Sequence, residues 1–359
     1  MKSLFRNHWI VGAALAAAAV AVCIGMTLLG APSPHAGTLG AFGLAVPQGT
    51  AMDGLAALGF GGLVINRANI TILNQAFNGL FKNGLQSVTP QWNKVATLVP
   101  STTGEEKYAW LGKSTKFREW IGDRQMQNLK VHDYAIKNKD FENTVVVDRN
   151  DISDDKYGVY NVPMQGLGED AALHPDELVF NMLKKGDSTL CYDGQYFFDT
   201  DHPVGPAGAV TSVSNHQGGS GTGWYLLNVG RLLKPVLYQE RQKYQFTALT
   251  SPDDPNVFNK KEFVYGSDGR SNVGFGLWQM AFFSKQTLDK AAYADARARM
   301  NSIKFDNGQP VNQGGQFLLV VPPSLEAAAL ELLNAERAAN GSTNVYRGTA
   351  ELFNCPWLA

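Results

Sequence analysis

Between Tyr108 and Lys185 the chain joins a long, aromatic-rich extended arm to a helical segment, and the arm carries no visible means of burying itself. It runs as YAWLGKSTKFREWIGDRQMQNL from Tyr108 to Leu129 and continues as KVHDYAIKNKDFENTVVVDRNDISDD to Asp155. Aromatic and β-branched residues suit a pleated surface. Read as strands, the arm places Tyr108 and Trp110 on one face, and likewise Tyr134 and Ile136, with charged residues between. A two-stranded ribbon alone is marginal in water. Left uncovered, Trp110, Phe117, Trp120 and Ile121 would form an apolar patch larger than the roughly few hundred Å² that monomers tolerate. Another part of this chain must cover them, or another copy of it.

The helical segment is GVYNVPMQGLGEDAALHPDELVFNMLKKG. Pro163 and Pro175 each suit the first turn of a helix, Asp176 and Glu177 favour an N-terminus, and Lys184, Lys185 and Gly186 close a C-terminus. Met164, Leu167 and Ala171, then Leu178, Met182 and Leu183, share one side. The pattern predicts a broken or kinked helical segment.

The order of an N-terminal helix, a Trp-Leu-Gly-Lys arm, a Thr-Val-Val-Val strand and a His-Pro-Asp-Glu-Leu helix resembles the major head subunit of Mu-like phages and prophages, the gpT family. The later blocks CYDGQYFFDTDHPV, WYLLNVGRLLKPVLYQERQ and VGFGLWQMA resemble the same family in the same order, so the likeness runs from about Asn66 to Ala359. The resemblance implies an α+β fold of the Hong Kong 97 tailed-phage capsid type. It divides the chain into an N-arm (66–107), an extended loop (108–141), a peripheral domain with a spine helix (142–190), an axial domain (191–345) and a C-terminal return (346–359). It further implies a structural protein of the virion, assembled in the host cytoplasm into an icosahedral shell, with no catalytic activity and no cofactor. Its partners would be itself, in hexameric and pentameric capsomers, then scaffold or protease, portal and decoration proteins. Packaged DNA would be met only by non-specific proximity. Expected interface residues are Trp110, Phe117, Trp120, Ile121 and Tyr134 in the arm, and Pro175, Leu178 and Met182 on the spine, since aromatic anchors dominate interface energy.

A net charge of −1 in 359 residues argues against a protein that lives by gripping nucleic acid, which needs many Lys and Arg contacts to phosphate. The chain is long enough for a substantial core in one or two domains, and its 44% hydrophobic content is globular. Cys23, Cys191 and Cys355 are odd in number and unpaired in spacing, which suggests neither a disulfide framework nor a zinc site.

One segment points elsewhere. Lys2 and Arg6 precede an uncharged run from Trp9 to Leu29, which is long enough to span a bilayer and is built like the positive and apolar regions of a signal sequence. Residues 1–36 therefore read as a signal or anchor, or as an extension ahead of a later start at Met26 or Met52. Residues 37–65 form a Gly- and Ala-rich linker. The competing functional reading is an exported, membrane-anchored bacterial protein with a periplasmic hydrolase or binding domain. A membrane would matter only if the first segment is retained.

Elsewhere Ile70, Leu73, Phe77, Leu80 and Phe81 fall at helical spacing, equally compatible with an arm along a neighbour and with a helix packed on its own domain. Trp224 to Phe283 alternates short apolar runs with turn residues including Gly266 and Gly269, which predicts a mixed sheet. Thr287 reads as the N-cap of a helix to Met300, Phe317 to Val321 as a buried strand, Leu325 to Leu333 as a helix, and Leu352 to Leu358 as a return to the sheet. Asp199, Asp201 and His202 could ligate a metal, though acidic residues before a His-Pro turn more often bond the local backbone. His132, His174, His202 and His216 lack metal spacing and read as surface or turn residues. Gly112-Lys113-Ser114 resembles the end of a phosphate-binding loop but lacks the required first glycine, since Lys107 stands there.

Overall fold

The computed structural model describes residues 64–108, 111, 133–154, 156–205, 209–313, 315–337 and 341–359. Residues 1–63, with the signal-like run and nearly all of the Gly-rich linker, lie outside the described residues. Among the described residues no helix is long and apolar enough to cross a membrane.

In chain order the elements begin with helix α1 (Arg67–Ser87), strands β1 (Ala96–Pro100), β2 (Glu105–Lys107), β3 (Ala135–Lys137) and β4 (Lys139–Asp148), then α2 (Arg149–Ser153) and the long helix α3 (Asn161–Lys184). There follow β5 (His202–Val204), β6 (Thr211–Val213), β7 (His216–Gln217), β8 (Trp224–Asn228), β9 (Val236–Leu249), α4 (Pro255–Lys260), β10 (Glu262–Phe275) and β11 (Ala281–Ser284). Helix α5 (Lys290–Ser302), β12 (Phe317–Val321), α6 (Glu326–Asn334) and β13 (Glu351–Asn354) complete the chain. Two sheets carry the cores: a four-stranded one in the order β1-β9-β10-β4 and a five-stranded one in the order β13-β12-β8-β11-β7.

Helix α1 starts at Asn66, whose side chain accepts the N–H of Asn69. Its stripe of Ile70, Leu73, Phe77 and Phe81 is buried. The first three of these pack with Val147, Phe263 and Tyr265 on the inner face of the four-stranded sheet and with Met164 of α3. Of the two readings of this helix, packing on its own domain is the one observed. Two glycines set the crossing with α3. A Cβ on Gly84 would collide with the carbonyl oxygen of Gln165, and one on Gly168 with that of Phe81. Each helix thus supplies a glycine where the other's backbone touches it.

The predicted break does not occur: α3 is a single 24-residue helix with Pro163 in its first turn and Pro175 inside. An interior proline removes a hydrogen bond and costs about 3 kcal/mol. Here burial on both sides of it offsets that cost. Met164, Leu167 and Ala171 pack against α1 and its sheet, while Val179, Phe180 and Leu183 enter the larger core shared with the five-stranded sheet. Asp176 and Glu177 accordingly open no second helix. The buried Asp176 carboxylate instead accepts the backbone N–H of Gln91 at 2.8 and 2.9 Å and that of Trp92 at 2.6 Å. Burial pushes its pKa up, and those two donors oppose the shift.

The mixed-sheet region contains strands far longer than its apolar runs suggest. β9 and β10 each span 14 residues and pair antiparallel. Gly266 and Gly269 sit inside β10 rather than in turns, and the Tyr244 ring covers Gly269, where an added Cβ would lie 2.7 Å from it. Helix α5 is capped by Asp289, not Thr287, through a 2.8 Å bond from the N–H of Ala292. The Phe317–Val321 strand is fully buried, and Glu351–Asn354 returns to pair with it in parallel, both as expected. In β8, Trp224 and Leu226 face α5 and α6, while Tyr225 and Leu227 face the core of α3.

If backbone contact sets the helix crossing, Gly84→Ala and Gly168→Ala will each destabilise the chain by about 1–3 kcal/mol, the range for overpacking. Gly79→Ala and Gly166→Ala, which meet nothing within 4 Å, will stabilise it by about 0.5–1 kcal/mol. Urea unfolding of the four variants checks this, and equal effects would remove the crossing argument.

Candidate assembly interface

The expected interface residues fall into three groups. Trp110, Phe117, Trp120 and Ile121 lie outside the described residues. Tyr134 stands at the root of the arm, and Pro175, Leu178 and Met182 on α3. In the single chain Pro175 is buried, while Tyr134, Leu178 and Met182 are half-buried and packed against the chain's largest core.

The arm leaves and re-enters through one short ladder, β2 against β3, with Glu105 opposite Lys137 and Lys107 opposite Ala135. Beneath it lies a buried polar network that no sequence pattern announced. Gln239, fully buried on β9, accepts the Tyr108 hydroxyl at 2.7 Å. Its amide donates to the Ile136 carbonyl at 3.0 Å and to Asn138 Oδ1 at 2.7 Å. The Asn138 amide in turn donates to Ser101 Oγ and to the Thr103 carbonyl, each at 2.8 Å. Glu106 accepts the N–H groups of Thr102 and Thr103, and these bonds hold its carboxyl down at about 2. The Tyr134 hydroxyl accepts the N–H of Phe275 at 2.8 Å, and burial pushes that phenol up to about 12. The one available signal was a glutamine following the apolar run Val236 to Tyr238. A buried polar residue in a strand needs partners, and here they are the two limbs of the arm.

Beside the middle of α3 a groove of about 360 Å³ opens over the inner face of the four-stranded sheet among the described residues. Phe141, Leu167, His174, Tyr244 and Trp357 give it apolar and aromatic walls, and Glu142, Asp170 and Glu177 stand on its rim. His174 Nδ1 lies 2.5 Å from the Tyr244 hydroxyl, and its ring meets Phe141 edge-on at 4.4 Å. Burial lowers the pKa of His174, which favours the neutral imidazole as acceptor.

The metal candidates disperse. Asp199 accepts the N–H of Thr200 at 2.7 Å and that of Tyr196 at 3.3 Å, the turn role weighed above. His202 is no surface residue: it is fully buried and stacked 3.8 Å from Trp278, with Nδ1 2.8 Å from Asp193 Oδ2. Cys191 Sγ lies 2.9 Å from Asp193 Oδ1, so Cys191, Asp193 and His202 form a compact group. Hydrogen bonds join its members, and burial, with the Asp193 carboxylate beside it, pushes the Cys191 thiol far up. The thiol also faces the carboxylate, not the imidazole that would have to deprotonate it. Burial works against the Asp193 carboxylate, but the bonds from His202 and Cys191 outweigh it and lower its pKa.

Two outcomes follow. Gln239→Ala, which strips Tyr108 and Asn138 of a buried partner, will cost about 1–3 kcal/mol and raise hydrogen exchange in β2 and β3 in particular; uniform exchange would deny the network its local role. Because Asp193 has a folded pKa below its ordinary 3.8, the stability it contributes is complete above that value and is lost as pH falls through the folded one. Asp193→Asn will therefore flatten the acid limb of the stability curve below about pH 4, measured by urea midpoints against pH.

Comparison with known proteins places these features in context. Residues 70–358 match the family profile described as Mu-like prophage major head subunit gpT. The chain is 39% identical over 290 residues to the major capsid protein of Escherichia phage Mu, covering 79% of this chain and 95% of that one. It is 42% identical over 288 residues to the Mu-like prophage FluMu major head subunit of Haemophilus influenzae, covering 76% and 93%. Among solved structures it is similar to the procapsid of bacteriophage JBD30, with a TM-score of 0.73 and 43% identity over 82% of this chain and all of that one. It is also similar to the JBD30 capsid decorated with minor capsid protein trimers, with a TM-score of 0.66 and 33% identity over 83% of this chain and all of that one.

Proposed function

We propose, for a chain that belongs to the family of Mu-like prophage major head subunits gpT, a division of labour among its parts in building a shell. The chain is a structural capsid protein of the virion, with the Hong Kong 97 type of α+β fold. Residues 108–141 act as the extended loop laid over the next subunit, and residues 191–345 as the axial domain presented to the capsomer centre. The peripheral domain (142–190) carries α3 as its rigid spine, with the 66–107 segment and the 346–359 return packed onto it. A head-to-tail contact of this kind closes into rings, here hexamers and pentamers that tile an icosahedral shell.

The observation that carries this reading is the fixed root of the arm. Both limbs are tied by Gln239 and Asn138 to β9, while Trp110, Phe117, Trp120 and Ile121 belong to the stretch beyond. A rigid root with an apolar extension suits an element whose partner is another molecule. No catalytic role is assigned: the Cys191 thiol is buried, pushed far above its ordinary range and bonded to a carboxylate. Partners beyond further copies are a scaffold or protease, a portal and decoration proteins, with packaged DNA near a wall of almost neutral charge.

Electron microscopy and size-exclusion chromatography of the full chain and of a chain beginning at Asn66 test the reading. Shells, rings or capsomer-sized particles are expected from the shorter chain. Trp110→Ala with Trp120→Ala will leave a folded subunit by circular dichroism that does not assemble. Intact assembly of that double variant would defeat the role given to the arm, and monomers from both parent chains would defeat unaided self-assembly.

A further inference from the structure

The loop that leads from α3 into β5 buries three chemically different donors against one another. Cys191 and Asp193 come from one tight turn, and His202 opens β5. A thiol sulfur, a carboxylate oxygen and an imidazole nitrogen all lie within 4.8 Å of one another. Cys191 is 4% exposed, the Asp193 side chain 8%, and the His202 side chain is fully buried. The sulfur stands 2.9 Å from one oxygen of Asp193, nearly as close as His202 Nδ1 stands to the other at 2.8 Å, although sulfur is the larger atom and its proton a weak donor. A thiol hydrogen bond gains little from so close an approach.

The imidazole adds a second observation. His202 Nε2 is buried and has no hydrogen-bond partner among the described residues. A buried polar atom left unpaired is costly, so the gain from placing the ring here comes from its other nitrogen. Stacking on Trp278 fixes the ring, with centroids 3.8 Å apart and planes 8° from parallel. The turn is fixed as well: the Cys191 N–H donates to the Gln195 carbonyl at 2.8 Å, the Gln195 N–H donates to Asp193 Oδ1 at 3.1 Å, and Gly194 turns the chain at a φ of +87°. Donors locked by stacking and by backbone bonds are what a preorganised ion site requires.

The donor set selects the ion. Magnesium and calcium take oxygen ligands, whereas thiolate, imidazole and carboxylate together suit a borderline-soft divalent ion such as zinc. We propose that Cys191, Asp193 and His202 bind one zinc ion through Sγ, a carboxylate oxygen and Nδ1, with water as the fourth ligand. Of the three residues that the sequence offered as ligands, His202 alone belongs to the group. The ion replaces the protons between the donors: the thiol proton leaves to solvent, the imidazole proton passes from Nδ1 to Nε2, and Asp193 keeps its charge. About one proton is released per ion, and the ion's charge sustains a buried thiolate. Zinc then ties the turn at Cys191 to β5 across the segment that carries Phe197 and Phe198 into the largest core. The site lies within one chain and stands apart from the shell reading.

The full chain, treated with a chelator and dialysed, tests this with zinc and cobalt ions. Zinc will be retained at about one ion per chain by mass spectrometry and will raise Tm. Cobalt will give the visible bands of a tetrahedral site and the near-ultraviolet band of a thiolate–cobalt bond. Cys191→Ser will abolish the near-ultraviolet band, and Cys23→Ser and Cys355→Ser will keep it. Asp193→Asn, which preserves the shape of the side chain, will weaken zinc binding about tenfold or more with the circular dichroism of the parent. If Cys191→Ser does not fold, the other variants decide: loss of the band in either cysteine control, or parental zinc affinity in Asp193→Asn, overturns the site. A parent chain that retains no zinc and gives no thiolate band overturns it too, and leaves the three side chains a hydrogen-bonded group alone.

Discussion

The core under the four-stranded sheet depends on one contact in which two helix backbones touch. Gly84 on α1 and Gly168 on α3 each clear the space that the other helix's main chain occupies. Any larger residue at either place would push the helices apart. Because α1 and α3 both rest on the inner face of the four-stranded sheet, their separation sets how deeply Phe77 and Phe81 reach toward Tyr265 and Phe246. The chain then leaves α1 through a turn whose N–H groups end on Asp176 of the same α3. Helix, turn and β1 are thereby referred to a single rod, and β1 passes that reference to β9, where the arm is rooted.

That rod also joins the two cores. Its first half belongs to α1 and the four-stranded sheet, and its second half, with Val179, Phe180 and Leu183, to the core beneath the five-stranded sheet. Pro175 falls at the boundary. A proline there weakens the helix locally, and Asp176 beside it ties the weak point to the main chain at Gln91 and Trp92. The C-terminal turn, Pro356–Leu358, packs on the same helix, with Leu358 in its core and Lys184 Nζ donating to the Ala359 carbonyl at 3.2 Å. A single helix shared by both cores couples the two sheets, since packed cores shift as units rather than deform.

Where the signal was local, the sequence was legible: the Ile70 to Phe81 stripe by its helical spacing, the Phe317–Val321 strand by its continuous apolar run, and the return to the sheet near Leu352. Where long-range packing overrode local preference it was not. Pro175 reads as a helix start because nothing nearby reveals that Phe180 will be buried against Phe353, some 170 residues on. β9 reads as short because most of its length is polar and exposed, and β10 because Gly and polar residues interrupt it: a Gly such as Gly269 signals a turn unless Tyr244 is known to lie over it. The stretch from Tyr108 reads as an arm from its aromatic content, most of it outside the described residues, but its root was not legible. Gln239, Asn138 and Tyr108 are distant in sequence and declare themselves only as mutual partners. The groove beside α3 was hidden for the same reason.

A protein meant to join many copies of itself must also avoid joining them wrongly, and the four-stranded sheet has two free edges where it could. Its edge strands are β1 and β4. β1 is only five residues long and ends at Pro100, which offers no N–H. β4 is longer, but Lys139, Asp140, Glu142 and Asp148 stud it with charge, so a second β4 laid alongside would set like charges in proximity. Extension of the sheet from copy to copy is therefore disfavoured at both ends, and open-ended fibres with it. What remains for association are contacts between two different surfaces. A contact between two different patches can close at a defined angle, which is the property a shell requires and a sheet edge lacks.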